Sequence, residues 1–429
     1  MLIGFDASRA FISDRTGTEN YSYQLLKTLA KIDRKNEYIV YVRPNSVIPA
    51  KLVPYPDTGA GIHTNKKWIP LSTDTSDQVW DERRDWPLNF HFKTITLPRL
   101  WTQVGLALQT FKDNLDVLFV PAHTLPIVRK LGLKTVITVH DLGSEYLPKT
   151  HQLKQRLYLS LMQKYQLKTA TKIIAVSKAT KQDLINRVGI QASKIGVIYE
   201  GFDKERFKIK DLRINNRLDS NILIQYGLEK NSYFLFVGTV QPRKNLERVI
   251  RAFFSFAPLR GAERRSNLKK RLPRPLGARN DEIQLVIAGS KGWLSDNIYK
   301  LPKTLGIENR VKFLGYVPDK DLPALYSEAI ALVFPSLFEG FGLPILEAQA
   351  CACPVITSNI SSMPEVAGKG AILVDPYDIK AIADGMMKLS MNYELRTKLT
   401  KLGFENIKRF SWEKCAKETM TILEQVARN

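Results

Sequence analysis

Cysteine is scarce in this 429-residue chain: Cys351, Cys353 and Cys415 are the only three, and histidine stops at five. Three thiols make no disulfide framework. The Cys-x-Cys spacing of Cys351 and Cys353 is not the Cys-x2-Cys half of a zinc site, so small buried thiols in a reducing compartment are expected. Also missing is any apolar run near the ~20 residues that a membrane span needs. The start, Met1-Leu-Ile-Gly-Phe-Asp6, lacks the charged-then-apolar pattern of a signal peptide. These absences lead to the expectation of a cytoplasmic, soluble protein.

What is present is an ordinary globular composition, 44% apolar, 25% charged and 10% aromatic, which excludes disorder, collagen-like repeats and disulfide miniproteins. The length predicts two domains. Charge is less ordinary: 64 basic residues against 42 acidic leave +22, which speaks of partners rather than fold. A nucleic-acid binder is one reading of that excess. The basic residues are spread along the chain, however, without aromatic interleaving or a recognised binding module. Attraction to anionic lipid, peripheral at the inner membrane surface, fits better.

Short β-branched runs recur, each followed by a longer amphipathic stretch. The first series is Leu2–Asp6, Tyr38–Val42, Val117–Val120, Thr135–Val139, Ile173–Val176 and Val197–Tyr199. After a polar stretch at 208–230 come Phe234–Val237, Leu285–Ala288, Val311–Leu314, Ala331–Phe334, Val355–Thr357 and Ile372–Val374. Continuous apolar runs of this length suit strands covered on both faces, as in parallel sheets. The pattern is βαβα, twice: an α/β protein of two Rossmann-like domains. The expected division is 1–207, 208–410 and a closing C-terminal helix in 411–429 that packs back across the first domain. Residues 43–93 read as a surface excursion. Residues 258–282, with eight Lys/Arg between Arg260 and Arg279 against one Glu, read as an exposed basic insertion.

In open parallel sheets, ligands bind outside the carboxyl ends of the strands. After Ala331–Phe334 comes Pro335-Ser-Leu-Phe-Glu-Gly-Phe-Gly-Leu-Pro-Ile-Leu-Glu347. Pro344 suits the first position of a helix and Pro354 its end. Gly340 and Gly342 let the backbone approach a ligand closely just before that helix, whose amides and dipole favour phosphate. Glu339 then sits in the loop and Glu347 one turn into the helix, where a carboxylate can accept two hydrogen bonds from a cis-diol such as ribose. The competing account is a capped helix with solvated glutamates.

This stretch resembles the Glu-x7-Glu signature of retaining glycosyltransferases of family 4, the group 1 glycosyltransferases. The likeness runs through Cys353-Pro-Val-Ile-Thr-Ser-Asn359, Met363-Pro-Glu-Val-Ala-Gly368 and Ala371-Ile-Leu-Val-Asp-Pro376. It also covers Phe313-Leu-Gly-Tyr-Val317 and Phe236-Val-Gly-Thr-Val-Gln-Pro-Arg-Lys-Asn245. The resemblance implies the GT-B fold, two facing Rossmann-like domains with an interdomain cleft. It implies that Glu339 contacts the donor sugar, that Glu347 holds the ribose, and that Gly340, Phe341, Gly342 and Leu343 meet sugar hydroxyls and phosphate. Lys244 matches the family lysine on the diphosphate. The family's frequent Arg after the glycine at 238 is replaced here by Thr239, and Arg243 stands where it could supply that charge. Gly315, Tyr316 and Val317 resemble the segment at the base. In the first half, Gly17 within Thr16-Gly-Thr-Glu-Asn-Tyr21 resembles the family's glycine loop. His140, ending the strand Thr135–Val139, stands where the family places a histidine beside the transferred sugar. Ser177 resembles the usual serine after the next strand.

No cofactor and no metal are expected, since no Asp-x-Asp follows a strand. The implied donor is a nucleotide-diphosphate sugar and the implied acceptor a glycan or a lipid-linked acceptor. The expected reaction is front-face transfer, the departing phosphate taking the acceptor proton while Lys244 and Arg243 stabilise its charge. The segments Leu97-Pro-Arg-Leu-Trp101 and Phe119-Val-Pro-Ala-His-Thr-Leu-Pro126 resemble bacterial polysaccharide mannosyltransferases, which puts GDP-mannose ahead of UDP-sugars. A nucleotide-sugar epimerase or a non-catalytic GT-B relative is the alternative on the same fold.

Overall fold

Apolar runs that alternate with amphipathic ones build two sheets in the computed structural model, which describes residues 1–12, 17–44, 86–97, 99–122, 124–142, 164–207, 221–256 and 283–428. Thr16, the insertion 258–282, and most of the stretches 43–93 and 152–170 lie outside the described residues, as does the first part of 208–230. The strands of the first sheet are β1 (Leu2–Asp6), β2 (Glu37–Val42), β3 (Phe90–Thr94), β4 (Val117–Val120), β5 (Lys134–Val139), β6 (Lys172–Ala175) and β7 (Ile195–Val197). Those of the second are β8 (Tyr233–Val237), β9 (Gln284–Ala288), β10 (Val311–Gly315), β11 (Ala331–Phe334), β12 (Val355–Ser358) and β13 (Ala371–Val374).

The orders are β3-β2-β1-β4-β5-β6-β7 and β10-β9-β8-β11-β12-β13. Every neighbouring pair of the second sheet is parallel, as are those from β3 through β5 in the first. Parallel sheets need cover on both faces, and the burial shows it: all four residues of β4 and all five of β8 are buried. The cover comes from helices with one apolar face. In α1 (Gly17–Ile32), Tyr21, Leu25 and Leu29 are buried at i, i+4, i+8. A later helix, Leu246–Phe256, does the same with Leu246, Val249, Ile250 and Phe253.

Compact units group residues Met1–Thr138, Tyr165–Ile173 and Ala416–Asn429 on one hand, and Val139–Lys164 and Ile174–Cys415 on the other. The C-terminal helix, Trp412–Arg428, starts in the second group and ends in the first. No helix among the described residues is long and apolar enough to cross a membrane. All three cysteines are buried and outside any disulfide, and burial pushes the Cys353 thiol up to about 12.

Two expectations change. The excursion 43–93 ends in a strand, since Phe90–Thr94 pairs in parallel with β2 and Phe90 stacks on Tyr38 at 4.2 Å. The last strand of the first sheet is Ile195–Val197, two residues earlier than read. Tyr199 has left the ladder: its hydroxyl donates to Glu365 and its ring packs on Phe410.

In each sheet the order reverses between two adjacent strands, β1 and β4 in the first, β8 and β11 in the second. Such switch points open a crevice at the carboxyl ends. In the second sheet that edge is kept clear by glycine. Gly238 and Gly289 directly follow β8 and β9 and Gly315 closes β10, all at positive φ, and the Gly289 amide donates to the Gly315 carbonyl at 2.7 Å. A methyl on Gly289 would land on the carbonyl oxygen of Gly238, whereas one on Gly306, at φ +66°, would meet open space. Gly306→Ala should therefore cost only the left-handed backbone penalty, roughly 1–2 kcal/mol. Gly289→Ala should cost clearly more, because two loops must part. Urea denaturation of the two variants checks this, and equal midpoints would contradict the packing.

Candidate active site

At the switch point of the second sheet, the segment after β8 faces the segment after β11. Pro242 starts a tight turn, Pro242–Lys244, and Asn245 ends it in the left-handed conformation, φ +64°. The Asn245 amide then donates to the carbonyls of Pro335 (3.0 Å) and Pro376 (2.7 Å), and the Leu337 amide donates to the Arg243 carbonyl. The turn is thereby locked to the loop that carries Glu339.

This lock brings three charges together. Lys244 Nζ lies 2.6 Å from Glu339 Oε1, and Arg243 Nη1 lies 2.9 Å from Glu339 Oε2. Glu339 and Lys244 are both buried, at 7% and 8% exposure, and the ammonium also sits 4.8 Å from the centre of the Phe334 ring. Burial alone would raise the Glu339 carboxyl, but the Lys244 and Arg243 charges outweigh it and hold the group below its ordinary value. Burial, and Arg243 beside it, pull the Lys244 ammonium below the usual lysine range, with Glu339 opposing. Two cations share one carboxylate here, Lys244 buried and Arg243 part-exposed, with the Asp141 charge acting on both, and such paired cationic donors suit an anion such as phosphate.

The Glu339 backbone is clamped from a second loop. Ser361, at φ +59°, and Ser362 both donate to the Glu339 carbonyl, and Ser362 also reaches the Phe341 carbonyl at 2.7 Å. The following helix runs Leu343–Ala350 with Gly342 before it at φ +112°, so Pro344 is its second residue rather than its first. Glu347, one turn in, is half-buried and accepts from the Tyr326 hydroxyl at 2.9 Å. Burial lifts its carboxyl to about 7 despite that hydrogen bond.

A third group comes from the ends of β5, β6 and β7. His140 Nδ1 lies 3.1 Å from Glu200 Oε1, both side chains buried. The His140 carbonyl lies so close to Gly340 that any Cβ there would overlap it. Thr180 Oγ1 is 3.3 Å from both the His140 and the Gly340 carbonyls, and Ser177 caps the helix Lys178–Asp183 through the Thr180 amide. His140 is thus joined to the loop of Glu339 within one unit. Thr239 is exposed, Gly315 ends its strand, Tyr316 is exposed and Val317 buried. Gly17 is the exposed first residue of α1, where buried Glu19 pairs with Arg9 at 3.0 Å.

Sequence reasoning missed Glu200, Thr180, Tyr326 and Asn245. Only Asn245 carried a local signal, as a residue tolerant of positive φ after a Pro-led turn. Among the described residues, no group of three His, Cys, Asp or Glu side chains could hold a metal ion.

Comparison with known proteins bears on the family and the fold. Residues 221–405 match the family model "Glycosyl transferases group 1", and residues 15–206 match "Glycosyltransferase Family 4". The O-antigen chain mannosyltransferase B of Escherichia coli is 30% identical over 67% of this chain and 69% of its own. The O-antigen chain mannosyltransferase RfbU of Salmonella typhimurium is 30% identical over 60% of each chain. Among solved structures, sucrose-phosphate synthase from Thermosynechococcus elongatus aligns over 99% of this chain and 98% of its own, with a TM-score of 0.66 at 19% identity. WaaG, a glycosyltransferase involved in lipopolysaccharide biosynthesis, aligns over 99% of both with a TM-score of 0.64 at 13% identity. At those identities the likeness shows the fold, GT-B.

The ion cluster carries a signed pH dependence. The folded Glu339 carboxyl titrates below its ordinary 4.5, so its contribution is present above that value and is lost as pH falls through the lower one. Glu339→Gln should cost about 3 kcal/mol near neutrality, because it leaves buried Lys244 and part-exposed Arg243 without their shared carboxylate. That difference from the wild type should shrink on acidification from about pH 6 to about pH 3. Denaturation curves across that range check it, and a difference independent of pH would remove the cluster from the argument.

Proposed function

We propose that this chain, which belongs to the group 1 glycosyltransferases of family 4 and is a glycosyltransferase, moves a hexose from a nucleotide-diphosphate sugar to a glycan or lipid-linked acceptor with retention at the anomeric carbon. Mannose, carried by GDP, is the first choice of sugar, supported by the relatives' names and their 30% identity. The observation that carries the reading is the Lys244–Glu339–Arg243 cluster, its lysine and glutamate buried, at the switch point of the second sheet.

The proposed steps use that cluster in order. An arriving diphosphate draws on Lys244 and Arg243, whose charges are already held in place by Glu339 and need little reorganisation. Glu339, sharing its cations with the phosphate, is then available to accept from hydroxyls of the donor sugar. Gly340 and Gly342 let backbone amides approach the same sugar, and the helix starting at Leu343 turns its positive end toward the diphosphate. Glu347, steadied by Tyr326, accepts from the ribose diol. As the bond to the anomeric carbon breaks, the two cations carry the growing phosphate charge, and the departing oxygen takes the acceptor proton on the same face. His140, its ring oriented by Glu200, lines the oxocarbenium-like centre. The lipid-linked or glycan acceptor is assigned to the first half of the chain.

Two measurements test this reading. Purified protein offered a panel of UDP-, GDP- and ADP-sugars should hydrolyse one of them slowly, GDP-mannose first. Glu339→Gln and Lys244→Ala should each lower that turnover roughly 100-fold or more. Full turnover in either variant would sink its proposed role. The second measurement concerns pH. The free Glu347 carboxyl titrates at about 7, and two hydroxyl donors favour its ionised form, so donor binding should release a proton. The donor KM should therefore fall as pH rises toward about 7, and Glu347→Gln should flatten that component of the profile. An unchanged profile in the variant would move the ribose elsewhere.

A further inference from the structure

The proposed reaction leaves one buried carboxylate of the first unit without a task. Asp6 closes β1 at 6% exposure, where the order of the first sheet turns between β1 and β4. In such sheets this is the edge at which ligands bind. The Ser8 amide donates to Asp6 Oδ1 at 2.9 Å. Burial raises the carboxyl above its ordinary value, while Ser8 and the charges of Arg9 and Arg43 oppose the rise.

Both arginines are exposed, and each is steadied by a neighbour. Arg9 Nη1 lies 3.0 Å from Glu19 Oε1, on a glutamate that is itself buried. The Arg43 guanidinium, just past β2, stands 5.7 Å from the centre of the Trp101 ring. Trp101 is buried at 3% exposure, and among the described residues its indole Nε1 has no hydrogen-bond partner. A buried donor of that kind calls for an acceptor. A buried acid, two oriented guanidinium groups and an indole thus gather at one sheet edge.

The signs of the charges narrow what this edge can take. Asp6 and Glu19 balance Arg9 and Arg43, whereas at the second sheet two cations share one carboxylate. A phosphate entering the balanced set would meet carboxylates as well as guanidinium groups, so its gain from the cations would be largely offset. A sugar hydroxyl both donates and accepts. Carboxylates only accept and guanidinium groups only donate, so the mixed set can serve both ends of neighbouring hydroxyls.

We propose that the end of β1 is the acceptor subsite and takes an uncharged sugar at the growing end of a glycan, Asp6 accepting from one hydroxyl while Arg9 and Arg43 donate to its neighbours. The proposal rests on the transfer reading and deepens it. Whatever carries the glycan, the part that enters this subsite bears hydroxyls and no phosphate.

The test offers the full chain GDP-mannose together with uncharged methyl glycosides and disaccharides, mannosides first, and with the same sugars carrying a phosphate. The uncharged members should be used, and the phosphorylated ones should be at least tenfold poorer in kcat/KM. Asp6→Asn, which keeps the size and an oxygen for the Ser8 amide, should raise the acceptor KM about tenfold or more, read against the donor KM of the same variant. Arg43→Gln, at an exposed position that does not endanger the fold, should raise it several-fold. Saturation-transfer difference NMR with the methyl glycosides makes the same comparison without a donor, so absence of donor hydrolysis would count against the transfer reading alone. A lowered thermal midpoint with unmoved acceptor KM and unmoved glycoside binding would reduce Asp6 to a structural role and overturn the proposal. So would a preference for the phosphorylated acceptors, or a wild type that neither uses nor binds any uncharged one.

Discussion

Everything at the proposed site depends on keeping one carboxylate and two cations dry together. Ion pairs of this kind do not stabilise a fold by themselves, since desolvation offsets most of the Coulomb attraction. Hydrophobic packing must therefore hold Lys244, Arg243 and Glu339 in register. It does so through the two strands that meet at the switch point: Phe236 of β8 and Phe334 of β11 pack with ring centres 5.9 Å apart, and the Lys244 ammonium sits over the Phe334 ring. The turn Pro242–Lys244 and the loop before Leu343 then only have to be tied to one another, which Asn245 and the backbone of Arg243 do. The cations are thus placed before any ligand arrives, which is where preorganised electrostatics acts.

A second line of contacts joins His140 to the same loop. Glu200 meets the imidazole, the His140 carbonyl presses on Gly340, Thr180 reaches both carbonyls, and Ser362 holds the Glu339 and Phe341 carbonyls from the other side. Gly340 is therefore constrained twice over, by ligand approach in the proposed reaction and by the neighbouring backbone. A side chain there would push the histidine and the glutamate loop apart, so the glycine is a joint as much as a binding surface.

The fold was largely legible because parallel strands write themselves as unbroken apolar runs: β1, β4 and β11 have the bounds read from sequence. β3 was not, since its Phe-His-Phe-Lys-Thr alternates over five residues after a long aperiodic stretch, and an edge strand lacks the double-sided cover that makes the others conspicuous. Of the site, Glu339 and Glu347 stood out because they flank glycines and a proline whose backbone roles can be inferred locally, whereas Lys244 and Arg243 were legible only through the resemblance to the family. Their pairing could not be read, because 95 residues separate Lys244 from Glu339 and periodicity carries no information across that distance. Glu200 and Tyr326 were hidden for the same reason, each recognisable only through the side chain it meets, His140 and Glu347.

The two glutamates of the signature end up in opposite electrostatic states, Glu339 held low by its cations and Glu347 lifted by burial to about 7. In a glycosidase such a split identifies an ionised nucleophile and a protonated acid. Here the surroundings argue otherwise. Both oxygens of Glu339 are already hydrogen-bonded to cations, at 2.6 and 2.9 Å, which lowers their nucleophilicity. Glu347 lies inside a helix with one oxygen accepting from Tyr326, an arrangement that fixes an acceptor rather than delivering a proton. A diphosphate also leaves without a general acid when two cations meet its charge. In the proposed reaction the split would serve binding in two places, with Glu339, ionised at neutral pH, sharing its cations with phosphate, and Glu347 becoming fully ionised when a diol provides further hydrogen bonds. The same pair of residue types that would cleave a glycosidic bond in one geometry is, in this one, suited to holding a donor while phosphate departs.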